Sequence, residues 1–491
     1  MTSEQDEGVS GLPGKEEQSV EVRFVTRLGK EFQVTDEPFS VPARLTRHGL
    51  SEIVNHLLGR VPDASADEED EGEMADEEEK KKLRPIPFDF LISGEFLRTS
   101  LRKHLTTRGV AVGEGIVTLE YTLALSKPDS KPPYPHGDWI DALCTTVLPD
   151  GTDLCASGGY LCSVKLWDSG LTGKSGLVCT MEKAHIGAAV KCLCGIGPDN
   201  QQFLRERGVA AIASGGKDTF VKAWSLSSIP PAEAEENKRV RADVAAVFAG
   251  HQDAVECIDS SPDGSRLCSG SWDRTIRIWD SAFLCDGTTE AEAAPSSKRR
   301  KDDDDEEEGE KDKPETDRKE AVAVLEGHTS VVNTVQWPTH MQLISGGNDC
   351  ALRLWDVIKG TNVSTIHSSR AVNRVAYSTE NGLCASGHPD GIVRLWDPRS
   401  AHGSIEAKTI RAHKGWVSAV AWHPSQTTVL LTASYDGSLK IWDLRASAAM
   451  HVARNVNGGK VLCAQWWKHQ DGSTEIISGG VDGFISRRPM P

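Results

Sequence analysis

A Trp-Asp dipeptide recurs along this chain in one register, with an aspartate six residues ahead of each tryptophan. Asp273 precedes Trp279-Asp280, Asp349 precedes Trp355-Asp356, Asp390 precedes Trp396-Asp397 and Asp436 precedes Trp442-Asp443. Asp218 leads to Trp224-Ser225, a decayed copy, and Asp482 leads to Arg488, where the tryptophan is replaced. Trp167-Asp168 has Leu161 where the aspartate belongs. Seven units of one supersecondary element result, and a period of this kind constrains the fold before any single residue does.

The best copies show what a unit contains. A Gly-His or Ala-His pair opens it (Gly250-His251, Gly327-His328, Ala412-His413), with the histidine 21 to 23 residues before the aspartate. Between them lie an apolar run such as Val417–Trp422, a turn at His-Pro or Ser-Pro, and a second run such as Val429–Ser434. A tight turn, Tyr435-Asp436-Gly437, leads to a third run ending at Trp442. Short β-branched runs bounded by Gly, Pro, Asp and Ser read as antiparallel strands with tight turns. A buried turn needs its amides satisfied, and an aspartate paired with a histidine and a nearby serine supplies that between strands. The pattern resembles the WD40 repeat, and seven copies imply a mainly β fold, a seven-bladed propeller. The residues carrying this structural expectation are Asp218, Asp273, Asp349, Asp390, Asp436, Asp482, His251, His328 and His413.

The net charge of −17 over 491 residues is concentrated in three stretches. Residues 1–19 carry five acids and one base, residues 61–84 eleven acids and four bases, and residues 286–320 fifteen acids and eight bases. These sum to −18, so the rest is near neutral, which places the acidity in solvated tails and insertions and argues against a large nucleic-acid face. The twelve cysteines include no CxxC pair, and most sit in apolar runs, so reduced buried thiols are expected. No apolar run reaches transmembrane length, and Met1–Ser19 is unlike a signal peptide, so no membrane partner is expected.

Spacing between repeat tryptophans locates the insertions: 57, 55, 76, 41 and 46 residues from Trp167 through Trp442. The longest interval holds the acidic segment, expected to be a disordered surface loop. Within it Lys298, Arg299, Arg300 and Lys301 form a basic cluster of the kind that serves nuclear import, though such clusters also arise by chance. The propeller is expected to start near His136-Gly137-Asp138-Trp139 and run over residues 136–491. The last unit has no sequence left for its outermost strand, and residues 126–135 are a linker or a closing strand.

Residues 20–125 read differently. Val20–Arg27 alternates apolar and charged residues, and Glu31–Val41 reads as a second strand of a hairpin. Leu50, Ile53, Val54, Leu57 and Leu58 recur at helical spacing, with Gly59 as a stop. Strands follow at Phe88–Ile92 and Ile116–Leu123. Hairpin, helix, strand and closing strand is the order of a β-grasp, ubiquitin-like domain.

The strings Gly49–Leu58, Pro87–Ile92 and Gly94–Leu101 resemble the N-terminal (NLE) domain of the ribosome-biogenesis WD-repeat protein 12 family, and the resemblance extends over nearly the whole chain. The long insertion at 61–84 and the missing aspartate of the first repeat depart from the family pattern. The resemblance implies a non-catalytic factor in large-subunit (60S) ribosome biogenesis and rRNA maturation, in nucleus, nucleolus and nucleoplasm. Its implied partners are the block-of-proliferation WD-repeat protein, pescadillo, the midasin AAA ATPase and the pre-60S particle. It also implies that a carboxylate of the ubiquitin-like domain completes a Mg²⁺ site held by midasin, and strand register matches Glu114 to that position. Direct contact with rRNA is left open.

Two other classes remain in view. Trp396-Asp397-Pro398-Arg399 and Trp442-Asp443-Leu444-Arg445 fit the WDxR box of cullin-RING substrate receptors, although that string arises readily inside any WD repeat. An enzyme is the weaker reading. The histidines and aspartates fall at repeat positions, and no phosphate loop or HExxH is present, so neither catalysis nor a cofactor is expected.

Overall fold

The computed structural model describes residues 18–60, 85–109, 115–124, 128–171, 176–196, 210–229, 239–285, 318–398 and 406–490, which form two compact units. The acidic stretch 61–84, Glu114, Arg399 and the basic cluster Lys298–Lys301 lie outside them.

The N-terminal unit is a five-stranded sheet carrying two helices. Its elements are β1 (Ser19–Thr26), β2 (Phe39–Pro42), α1 (Arg47–Leu57), β3 (Phe88–Ile92), β4 (Glu95–Phe96), α2 (Leu101–Thr107) and β5 (Val117–Leu123), in sheet order β2-β1-β5-β3-β4. β1 runs parallel to β5, as the β-grasp requires. Alternation in β1 buries Val20, Val22 and Phe24, and α1 buries Leu50 and Val54 against the sheet. Asn55 fixes the entry to β3, donating to the Ile86 carbonyl at 2.7 Å and accepting from its amide at 2.8 Å. The stretch 31–41 is not one strand. Tyr121 donates its hydroxyl to the Phe32 carbonyl and accepts from the Val34 amide, so that backbone bonds to a core side chain, and only Phe39–Pro42 pairs.

The second unit is a ring of seven sheets, whose first strands pack side by side around a central channel. Those strands are Ile140–Val147, Val190–Ile196, Val255–Ser260, Val332–Thr339, Arg374–Tyr377, Val417–Trp422 and Val461–Lys468. The second strand of each blade carries a Ser-Gly or Thr-Ala pair ten residues before the position of the repeat tryptophan. The small residue is a packing requirement. A Cβ added at Gly346 would lie 2.5 Å from Val372 of the next blade, and one at Gly387 2.6 Å from Val417.

Blade 7 has only three strands of its own, and β6 (Lys131–Pro135) takes the outer place, antiparallel to Phe484–Met490. Two expected boundaries shift. The acidic insertion was expected through residue 320, but Arg318–Lys319 adds in parallel to the outer strand of blade 2, before Ala323–Leu325 completes blade 3. The N-terminal tail was expected through residue 19, yet Ser19 already pairs with Pro42, because Val20 must enter the core.

Candidate functional site

The repeat residues converge on one buried network per blade. In blade 3 the Trp279 indole donates to Ser269 at 2.8 Å, and His251 joins Ser269 (2.8 Å) to Asp273 (2.7 Å). Asp273 then accepts from the amides of Gln252 and Thr275, closing two turns. The ionised Asp273 carboxylate can only accept, so Nδ1–H of His251 donates to it, and in the neutral ring Nε2 then accepts from the Ser269 hydroxyl. Burial would push the Asp273 carboxyl up, but its hydrogen bonds to His251 and Thr275 outweigh that and hold it well below the usual range. Blade 4 repeats the arrangement with Trp355, Ser345, His328 and Asp349. Blade 6 substitutes Thr432 for the serine, and its His413 reaches Asp436 at 3.3 Å and Ser438 at 2.9 Å.

Sequence spacing missed His185, which completes the network of blade 2 with Ser214 and Asp218. It stands 33 residues before its aspartate because residues 197–209 are inserted between them, and the Ala184-His185 pair was the available signal. Blade 5 departs further. Its histidine is His388, two residues before Asp390, held by Ser386 and the Ala371 carbonyl, while Asp390 pairs with Arg394 at 2.8 Å. In blade 7 Asn457 takes the histidine's place, bonding Ser478 at 2.9 Å and Asp482 at 3.3 Å. In blade 1 His136 bonds Ser157 at 2.9 Å, its Nε2 is buried without a partner, and burial, helped by Lys165, brings its pKa to about 4. Leu161, at the missing aspartate's position, is exposed.

These groups are committed to holding turns. The tryptophans of both WDxR strings, Trp396 and Trp442, donate into the same networks, so the repeat accounts for them. Among the described residues no group of three His, Cys, Asp or Glu is arranged to hold a metal ion. No helix among them is long and apolar enough to cross a membrane. The described cysteines are all free thiols.

The central channel opens as a polar concavity on the ring. One residue of each blade, in or just before its first strand, lines its mouth around a cavity of about 200 Å³, with Leu462 in that place on blade 7. Blades 1 to 3 supply Asp141, Lys191 and Glu256, with Lys191 2.5 Å from Asp141 and 3.8 Å from Glu256. Blades 4 to 6 supply Asn333, Asn373 and Ser418, each donating to a first-strand carbonyl or entry carbonyl of the next blade (Val372, Val417 and Val461). The ring is thus stitched by hydrogen bonds on one side and by an ion-pair chain on the other.

The NLE (NUC135) domain family matches residues 20–105, and the WD domain, G-beta repeat family matches residues 243–280, 319–356, 360–397 and 405–443. The chain is similar to the ribosome biogenesis protein WDR12 homolog of Chlamydomonas reinhardtii, 33% identical over 95% of this chain and 97% of that protein. The Arabidopsis thaliana homolog is 31% identical over 94% and 95%, and that of Nematostella vectensis 30% over 95% and 98%.

Proposed function

The chain belongs to the family of the ribosome biogenesis protein WDR12 homologs, and from that premise we propose that it is a non-catalytic assembly factor of the large ribosomal subunit, acting in nucleus and nucleolus. The carrying observation is that an NLE domain and a seven-bladed propeller stand in one chain that parallels the relatives over nearly their full length. The networks of histidine, aspartate and serine are spent on turns, which supports a scaffold over a catalyst, since function on a repeat fold lies in the surfaces it presents.

In this reading the propeller docks on the propeller of the block-of-proliferation protein, in complex with pescadillo on the pre-60S particle. The NLE domain is the handle that midasin grips to remove the complex, with Glu114 completing the ATPase's Mg²⁺ site. Its separate apolar core supports a domain that holds its shape while gripped. Affinity purification from nuclear extract, with proteins and RNA identified, tests the proposal. Recovery of both partner proteins with pre-60S components is expected. Recovery of a cullin adaptor without pre-ribosomal proteins would replace it with the substrate-receptor reading.

A further inference from the structure

The turns before each first strand and the turns joining second to third strands lie on one face of the ring. The Tyr160 amide donates to the Trp139 carbonyl, Trp272 to Ala254, and Tyr435 to Trp416, so the two sets of turns interlock blade by blade. On blades 1 and 6 both positions of this pair are aromatic. Trp139 meets Tyr160 edge-on at 5.5 Å, and Trp416 stacks on Tyr435 at 5.9 Å. Trp416 is 55% exposed and Trp139 48%. Lysines stand among them. Lys460 of blade 7 lies 5.6 Å from the Tyr435 ring, and Lys217 of blade 2 lies 5.6 Å from the Tyr160 ring.

Two aliphatic residues complete the patch. Ile186 is 76% exposed and Leu161 51%. They are neighbours, because the His185 amide donates to the Cys162 carbonyl. Leu161 occupies the position that six other blades give to a turn-clamping aspartate, and His136 loses its carboxylate partner there. The blade-1 turn thus presents a solvent-facing leucine where the other blades hold a carboxylate, and beside Ile186 and the aromatic pair it makes an exposed apolar patch of the kind that marks an interaction site.

We propose that this face is the docking surface for the protein partner, and that the partner meets it with carboxylates and apolar groups. Trp and Tyr held by ring-to-ring contact are the residue types that anchor protein interfaces, since they bury large areas at little entropic cost. The lysines around them fit acidic groups on the partner. Nucleobases stack on aromatic rings and would tolerate the lysines, but they gain little from Ile186 and Leu161, which a protein's apolar surface covers. The rival surface is an aliphatic set on blade 4, Met341, Ile358 and Val363, which is as exposed but contains no aromatic residue.

This inference rests on the proposed docking between propellers, and the probe is the partner's purified propeller. With the full chain, Trp416→Ala/Tyr435→Ala and, separately, Leu161→Gln/Ile186→Asp are expected to weaken binding by about 30-fold or more. Their melting temperatures should stay within a degree or two of wild type, as the side chains are exposed. Met341→Asp/Ile358→Asp should bind within about twofold of wild type. The reverse pattern assigns docking to blade 4 and overturns the inference while leaving the proposed function standing. Failure of the wild type to bind overturns both. Binding of single-stranded RNA that is lost in Trp416→Ala/Tyr435→Ala, with protein binding intact, reassigns the face to nucleic acid.

Discussion

Arg487 donates Nε and Nη2 to the two carboxylate oxygens of Glu475, each at 3.0 Å, and both side chains are buried. Around this pair the ring is closed. Arg487 also donates to the Tyr134 hydroxyl of the closing strand and to the Leu171 and Ser169 carbonyls of blade 1. His469 joins Glu475 to Asp153 of blade 1, and Lys131 lies 3.5 Å from Glu475. Lys131 pairs with Arg487 at the first residue of β6.

Removing Arg487 takes the two-pronged donor from the buried Glu475, which is left with His469 and Lys131, and empties the site of its hydrogen bonds to blade 1. Arg487→Met is expected to destabilise the propeller by about 3–5 kcal/mol, and Arg487→Met/Glu475→Met to recover much of that. Calorimetry reads the stability, and exchange of the Lys131 and Tyr134 amides reads the closing strand. Equal losses in single and double variants would mean that packing, and not charge, holds the closure.

His469 makes this closure sensitive to alkali. Burial would lower its pKa, but hydrogen bonds to Asp153 and Glu475 raise it to about 9. Its folded value lies above the unfolded 6.5, so the stabilisation is complete below pH 6.5 and disappears as pH rises through 9. Melting temperature is expected to fall between pH 7 and 10, by the equivalent of about 2–3 kcal/mol. His469→Gln should flatten that dependence.

Repeat aspartates are not interchangeable. Asp436→Ala removes the acceptor for His413, Ser438 and the Lys414 amide and should cost about 1–3 kcal/mol. Asp390→Ala should cost less, because His388 already has Ser386 and a carbonyl, and Arg394 keeps Ser369. Equal melting shifts would show that the aspartate acts on its own turn alone.

Gly346 has ordinary backbone angles, so its replacement tests space and not strain. Gly346→Ala would push a Cβ against Val372 and is expected to cost about 1–3 kcal/mol. Val372→Ala should relieve part of it, and a double-mutant cycle without coupling would place the clash elsewhere.

Glu114 carries the proposal for the ATPase. Glu114→Ala, →Gln and →Asp are expected to leave the NLE domain folded and propeller docking intact, and to abolish Mg²⁺-dependent binding to midasin, since a hard cation's open site demands a charged oxygen at fixed reach. Binding by Glu114→Ala at wild-type strength, with loss in Glu95→Ala, would move the ligand to another loop.

The sequence alone determined whatever depends on local order. Alternation named β1, and the Asp-to-Trp spacing of six named the tight turn and third strand, because each lies within one hairpin. The histidines of blades 3, 4 and 6 were legible for the same reason: an uninterrupted blade keeps a constant distance between its ends. Only tertiary structure decided the rest. Residues 197–209 hid His185 from spacing, and His388 and Asn457 reach their serines from different backbone positions. Arg487 and Tyr134 meet although 353 residues apart, and nothing local in KPPYP or RRPM says that they pair. The face bearing Trp139, Tyr160, Trp416 and Tyr435 likewise exists only once the ring closes, since ring closure brings turns from both ends of the propeller's sequence to one surface.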